Sequence, residues 1–465
     1  MSRPELEGYV NSQKVAHDVE FRYPETLDHR KVGIENEYPV VFADGSAVPF
    51  PLIRGLFEEL GNRGWRLVRD EHTDQLVAAV RPREGSAAPD GFQSDIVTIE
   101  FGHHTVEVNL APTDGIVEAE RSLNEVLSTL TAVLHDHEAF LIGYGVQPLA
   151  PPVSRNVSPR GRYRLLERSW IKHPGNQYDI YLLTLSASCQ THVDVTRTEV
   201  VPALNALNLT AGLRVALFAN SPVWNGSAGD YAASRELFWD WSYGARKDQI
   251  GIPHPFEGIE DYVDCLMGFR GLLTRRGDEF FSLDNRSSYR DYFANRSNSV
   301  ETAAGVKVDL EPTLEDVEVL WGLAWFDARL QPRYRTVEDR CSCQQPPSAH
   351  LASPALTLGL VENLAGLTEI AGSLSADEWR EIRLRACRRG MKLEYPGVDV
   401  PGLIGRLVEV AHAGLVSRGH GEEKFLEPLY ERIQFGSGPA TDARRWFSDG
   451  GGASLVRHAD MTAFC

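Results

Sequence analysis

Residues 31–42 read as a strand, and its two-residue period stands Glu35 and Glu37 side by side within Gly33-Ile34-Glu35-Asn36-Glu37-Tyr38. Ile34, Asn36 and Tyr38 then take the other face. Two like charges about 7 Å apart along one strand weaken a sheet unless a cation or a guanidinium stands between them. Taken alone, a Glu-x-Glu pair is usually a solvated strand face. A chain that buries such a pair needs a divalent metal or arginines beside it.

Further along, other acids can join that face. Residues 82–91 form a Pro/Gly/Ser break. After it, residues 94–101 and 105–111 are rich in β-branched side chains and flank Gly102-His103-His104, the pattern of an antiparallel hairpin. Glu100 near the end of one arm, and Glu107 with Asn109 in the other, can share a face across the turn. In residues 188–194 the same alternation groups Gln190, His192 and Asp194 against Cys189, Thr191 and Val193. A lone histidine on a strand is more often structural than a metal ligand, and His103 and His104, in a turn, are weaker candidates still. Val337-Glu338-Asp339-Arg340 sets a carboxylate beside a guanidinium, by itself an ordinary surface ion pair. Weight comes from their joint order: Glu-x-Glu, a hairpin with two glutamates, a strand histidine, then Glu-x-Arg.

The rest of the pattern is mixed. Residues 51–64 read as a helix, 116–141 as a long helix capped by Asp114, 178–195 as a long strand and 199–218 as a second core helix. Thr313 and Asp316 open a helix expected to run to about residue 330. From residue 354 the chain is mostly amphipathic helix, with Glu362, Glu369 and Arg380 toward solvent. Residues 287–306 have no period and read as a mobile active-site loop. The layout predicts a loosely attached polar arm (1–30), an α+β core (31–350) and a helical C-terminal region packed on it (351–465).

Composition narrows the partners. Forty-seven Lys and Arg against 65 Asp and Glu give a formal charge of −18, which argues against nucleic acid and anionic membrane surfaces. No run approaches the 18 or so apolar residues of a membrane span, so a soluble, cytoplasmic protein is expected. The six cysteines lack CxxC spacing and read as reduced thiols. Arg340, next to Cys341 and near Cys343, is a means of lowering a thiol pKa and making the protein sensitive to oxidation.

The ordered set of motifs resembles the glutamate–cysteine ligase type 2 family, a carboxylate–amine ligase branch of the glutamine synthetase superfamily. The segments that carry the likeness are VGIENEY (32–38), TVEVNLAP (105–112), RY (162–163), CQTHVDV (189–195), ANSPVWNG (219–226), Ser234-Arg235, RL (329–330) and VEDRCSCQQP (337–346). The resemblance implies an α+β fold: a glutamine synthetase-like curved, mostly antiparallel sheet with helices on its outer face. It also implies ATP and two or three Mg²⁺ ions, with Mn²⁺ an alternative. Glu35, Glu37, Glu100, Glu107, His192 and Glu338 then resemble metal ligands. Arg340 and Arg235 resemble the arginines at the transferring phosphate and the substrate carboxylate, and Arg162, Gln190 and Asn109 resemble substrate contacts. One departure stands out: the family's acidic residue three places after the Glu-x-Arg arginine is here Cys343.

The reaction so implied activates the γ-carboxylate of glutamate as an acyl phosphate and joins it to the amine of cysteine. An alternative keeps the chemistry and changes the acceptor to another amino acid or a simple amine. A phosphotransferase that makes no amide, and a member that binds nucleotide without turnover, are further alternatives. Small molecules are the expected partners, and the oligomeric state is left open.

Overall fold

The computed structural model describes residues 14–82, 93–170, 178–243, 249–277, 279–283, 286–313 and 315–465. Its centre is a nine-stranded open sheet. The strands are β1 (Val32–Phe42), β2 (Arg66–Arg69), β3 (Leu76–Pro82), β4 (Ser94–Ile99), β5 (Thr105–Asn109), β6 (Ala139–Leu141), β7 (Ser188–Asp194), β8 (Ala328–Gln331) and β9 (Thr336–Cys343). They lie in the order β8-β9-β7-β1-β5-β4-β3-β2, with β6 beside β1, and every pairing is antiparallel.

Register turns the alternation of single strands into two chemically distinct faces. On one, Ile34, Tyr38, Val97, Val106, Val108, Val193, Leu330 and Val337 are buried in a single hydrophobic core with the helices Ile116–His135, Val200–Leu209, Ala211–Phe218 and Ala352–Glu362. That core runs from Val15 to Met461 and crosses residue 350 without a break. The other face carries the acids. At the β4–β5 turn, Gly102 lies so close to Thr184 that a Cβ would run into the Thr184 carbonyl. Glycine is therefore required where the hairpin meets the segment leading into β7.

Several local expectations need correction. Of the polar arm, residues 1–13 lie outside the described residues, but Lys14–Arg22 is a helix whose Val15, Ala16 and Val19 are buried, so this part is packed down. The break at 82–91 falls mostly outside the described residues. The helix after Asp114 ends at His135, and Gly115 is its N-cap. The buried Glu422 accepts the Ile116 N–H at 2.6 Å, doing from a distant segment what Asp114 was expected to do. The long strand at 178–195 begins as a 3₁₀ turn, Ile180–Leu185, and only then becomes β7. The helix at 199–218 breaks at Thr210. The helix after Thr313 ends at Leu320, and Ala328–Gln331 is strand β8. Glu362 is mostly buried between Arg30 and Arg418 and does not face solvent.

The segment 287–306 is ordered. Ser288 and Asp291 form a capping box for the helix Tyr289–Ala294. Asn298–Thr302 then pairs with Lys307–Leu310 in a four-stranded antiparallel sheet with Leu273–Arg276 and Glu279–Ser282. Arg168, on the helix Gly161–Ser169, donates to the carbonyls of Thr302 and Ala303 and so ties that sheet to the body. Among the described residues, no single helix is long and apolar enough to cross a membrane.

Behind the sheet, helices Ala352–Glu362 and Val400–Arg418 touch backbone to backbone. A Cβ at Gly414 would run into the Gly359 carbonyl, whereas Gly405 on the same helix has nothing within 4 Å. Gly414→Ala is thus expected to cost about 1–3 kcal/mol through overpacking. Gly405→Ala should be neutral or stabilise by up to about 1 kcal/mol through helix propensity. Urea unfolding midpoints of the two variants check the contrast, and equal midpoints would remove the close crossing as a constraint.

Candidate active site

The polar face begins at the centre of β1. Glu35 lies opposite Asn109 and Gln190, Glu37 opposite Glu107, and Gly33 opposite His192, which in turn faces Glu338 across β9. Strand neighbours at matched register point the same way. The acids and the imidazole named from alternation therefore converge. Ligand atoms of Glu35, His192 and Glu338 all lie within 4.8 Å of one another, and so do those of Glu37, Glu100 and Glu107. The two triads are neighbours, because Glu35 and Glu37 are two residues apart on one strand.

Charge is compensated differently in each. In the strand triad, Arg329 donates to Glu338 at 2.6 Å and Gln331 at 2.7 Å, while Arg340 bridges Glu338 and Gln190. Burial alone would raise the Glu338 pKa, but Arg329, Arg340 and His192 outweigh it and hold the carboxyl well below its usual range. Burial likewise disfavours protonated His192, yet Glu35 and Glu338 push its pKa up. The ring is held from both sides, by Glu35 at Nε2 and the Thr336 hydroxyl at Nδ1, each at 3.1 Å.

The hairpin triad is less well neutralised. Burial first and Glu100 second push Glu37 up to about 7, although Arg235 and the Ser188 N–H, at 2.7 Å, work against the shift. Glu107 is raised further, by burial and then by Glu100, Glu35 and Glu37. Three clustered acids of this kind are stable either with shared protons or with a cation among them. Asn109 adds a buried Oδ1 that has no hydrogen-bond partner among the described residues. Hard oxygen donors with one imidazole suit Mg²⁺ or Mn²⁺, and the residues present fit such ions in both triads.

Arginines surround the acids. Arg162 donates to the Tyr163 hydroxyl at 2.6 Å, which reaches Glu100 at 3.3 Å, and Arg160 donates to the Thr98 hydroxyl at 3.0 Å. Arg235 pairs with Glu236 and donates to the Arg340 carbonyl at 3.2 Å. Gln190 donates to Glu37 at 3.0 Å while accepting from Arg340, so it links the two triads. The sequence pattern marks Arg329 only within the RL segment and does not single out Arg160, Gln331 or Thr336. For Arg329, Gln331 and Thr336 the signal was present, since Arg329 and Gln331 alternate on β8 just as Thr336 and Glu338 do on β9.

The thiols differ from expectation. The alternation that turns Glu338 and Arg340 to the polar face sends Cys341 into the core, with its Sγ 3.4 Å from Asp339. Cys343 is buried too, 3.4 Å from the Ser221 hydroxyl and 3.9 Å from Glu236. Burial raises both thiol pKa values, that of Cys343 to about 11, so Arg340 does not activate them.

The description of Glutamate–cysteine ligase family 2 (GCS2) matches residues 60–458. The chloroplastic glutamate–cysteine ligase of Medicago truncatula is 23% identical over 72% of this chain and 64% of its own length. That of Nicotiana tabacum is 23% identical over 72% of this chain and 62% of its own length. The matched region thus spans less than two thirds of these plant relatives. A solved glutamate–cysteine ligase from Francisella tularensis, in complex with AMP, superposes with a TM-score of 0.53 at 12% identity, covering 95% of this chain and 89% of that one. It shares the fold.

Two measurements follow from the electrostatics. Burial and Glu100 push the Glu37 carboxyl up to about 7, so a cation bound there would compete with its proton. Metal addition near neutral pH should therefore release protons, and Mn²⁺ affinity should fall as pH drops from 8 to 6, approaching about tenfold per unit below the pKa. Calorimetric titration in buffers of different ionisation enthalpy reads the proton count; zero release would contradict the assignment. Thiol titration of the folded protein should label the exposed Cys465 first and leave Cys189, Cys341, Cys343 and Cys387 unreacted until denaturant is added. With residues 60–458 matching the family, the chain belongs to glutamate–cysteine ligase family 2.

Proposed function

We propose that this chain is an ATP-dependent, ADP-forming ligase that activates the γ-carboxylate of glutamate as an acyl phosphate and joins it to the amine of cysteine. The observation that carries the reading is the pair of adjacent acid triads on one sheet face, ringed by arginines, in a chain of this family. A carboxylate is a poor electrophile, and bringing it to a polyphosphate opposes like charges. Magnesium ions, when bound, supply the positive charge that screens the phosphate oxygens.

In this reading Glu35, His192 and Glu338 hold one ion and Glu37, Glu100 and Glu107 another. Thr336 orients the His192 ring, and Arg329 with Gln331 orients Glu338. Arg340 offers its guanidinium to the transferring phosphate, and Arg235 offers its own to a substrate carboxylate. Arg162 and Asn109 contact the donor acid in this reading, and Gln190, bonded to both, keeps Arg340 in register with Glu37. A glutamate carboxylate oxygen takes the terminal phosphoryl group and ADP leaves. The deprotonated amine then attacks the acyl carbon and phosphate departs.

Incubation of the protein with ATP, Mg²⁺, glutamate and a panel of amino acids and amines, followed by mass identification of the product, tests the reading. A γ-glutamyl amide with stoichiometric ADP is expected, with cysteine as the preferred acceptor. Another preferred amine would move the protein to the alternative acceptor, and a stable phosphorylated product without an amide would make it a phosphotransferase. Glu37→Gln and His192→Ala should each cut ADP release at least about a hundredfold while leaving circular dichroism unchanged. Wild-type turnover in either variant would refute the site.

A further inference from the structure

A cavity of about 880 Å³ opens between residues 346–352, the helices Glu427–Phe435 and Pro439–Ala459, and Phe464 near the C-terminus. It shares no lining residue with the two acid triads. Its size falls within the range of small-molecule sites.

One wall holds Arg432, whose side chain is only 7% exposed. Its Nη1 donates to the Leu217 carbonyl at 2.9 Å, and its guanidinium packs 5.7 Å from the Phe218 ring centre. No other hydrogen bond or carboxylate partner engages it among the described residues. A guanidinium carries five N–H donors, and burying it without an anion is costly. Burial accordingly lowers its pKa to about 10, and Asp442 and Glu431 offset this only in part.

Apolar rings line the cavity as well. Phe425 and Phe464 line it together with Phe435, which is 73% exposed, an unusual state for a phenylalanine. Among the lining residues Glu120, Glu427, Glu431 and Asp442 outnumber Lys424 and Arg432, and Asp442 and Glu431 act on the Arg432 charge. A phosphate would meet that negative field with nearly two charges of its own. A zwitterion suits it better, with its carboxylate on Arg432 and its ammonium toward the acids. His350 lines the same cavity, and its Nε2 meets the Tyr38 hydroxyl at 2.7 Å on the strand that carries Glu35 and Glu37.

We infer that this cavity is a second ligand site, for an α-amino acid with an apolar or aromatic side chain, whose carboxylate is held by Arg432 and whose side chain lies along Phe425, Phe435 and Phe464.

Calorimetric titration of the full chain, without nucleotide or metal, tests this independently of the ligase reading, since no turnover is involved. L-phenylalanine should bind with a dissociation constant below about 1 mM. Phenethylamine, which lacks the carboxylate, and phenyl phosphate should bind at least about tenfold more weakly. Arg432→Gln should lose at least about tenfold in affinity for phenylalanine. Ser437→Trp puts a bulky ring into the cavity lining while keeping the Arg432 side chain, and should lose binding to the same degree if Arg432→Gln fails to fold. Wild-type affinity in the folded variants, tighter binding of phenyl phosphate than of phenylalanine, or no binding of phenylalanine would overturn the inference.

Discussion

Mutual repulsion of carboxylates on one face of a sheet is the constraint around which this structure is arranged. Glu35, Glu37, Glu100, Glu107 and Glu338 meet in two adjacent triads, and Glu37, Glu107 and Glu338 are buried. Like charges this close and this dry destabilise a fold unless something of opposite sign is present. The chain supplies that partly from its own sequence: Arg329 and Arg340 on Glu338, Arg235 near Glu37, and Arg160 and Arg162 beside Glu100. What remains uncompensated, chiefly at Glu37 and Glu107, is what a divalent cation would offset in the proposed function.

Such a face has to be rigidly backed. The reverse side of the same strands is continuous with the protein's hydrophobic core, where a charged group needs a partner of opposite sign. Arg214 and Asp339 are the clearest case, both nearly fully buried with Nε 2.9 Å from a carboxylate oxygen, while Thr357 donates to Asp339 at 2.8 Å. Asp339 thus stands one residue from Glu338 yet serves the opposite face. Breaking that buried pair would leave a lone charge in the core, a penalty of about 3–5 kcal/mol. Strand pleat alone separates a structural carboxylate from a chemical one.

That pleat also decides how much could be read from the sequence. The acids, His192 and Arg340 were legible because strand alternation is strict, and a residue on the wrong face would need a register slip. Helix and loop boundaries were less legible. Thr210 interrupts a run whose apolar pattern continues on both sides, so the break has no compositional mark. Residues 287–306 look featureless because a short capped helix and a half-exposed hairpin follow each other too quickly for either period to accumulate. Glu422 as the distant partner of Ile116, and Glu362 between Arg30 and Arg418, depend on contacts across most of the chain and leave no local signature.

The two triads, though similar in composition, rest in different charge states, and this follows from their neighbours. Glu338 is held ionised by three donors, and His192 is drawn toward its protonated form by Glu35 and Glu338, so the strand triad is largely balanced before any ion arrives. A cation entering there must displace charge already in place. In the hairpin triad, by contrast, Glu37 and Glu107 retain protons well above the usual carboxylate range, because Arg235 and the Ser188 N–H only partly offset burial and Glu100. A cation there replaces protons. The two clusters are alike in composition but differ in what an incoming cation would displace: balanced charge at the strand triad, protons at the hairpin.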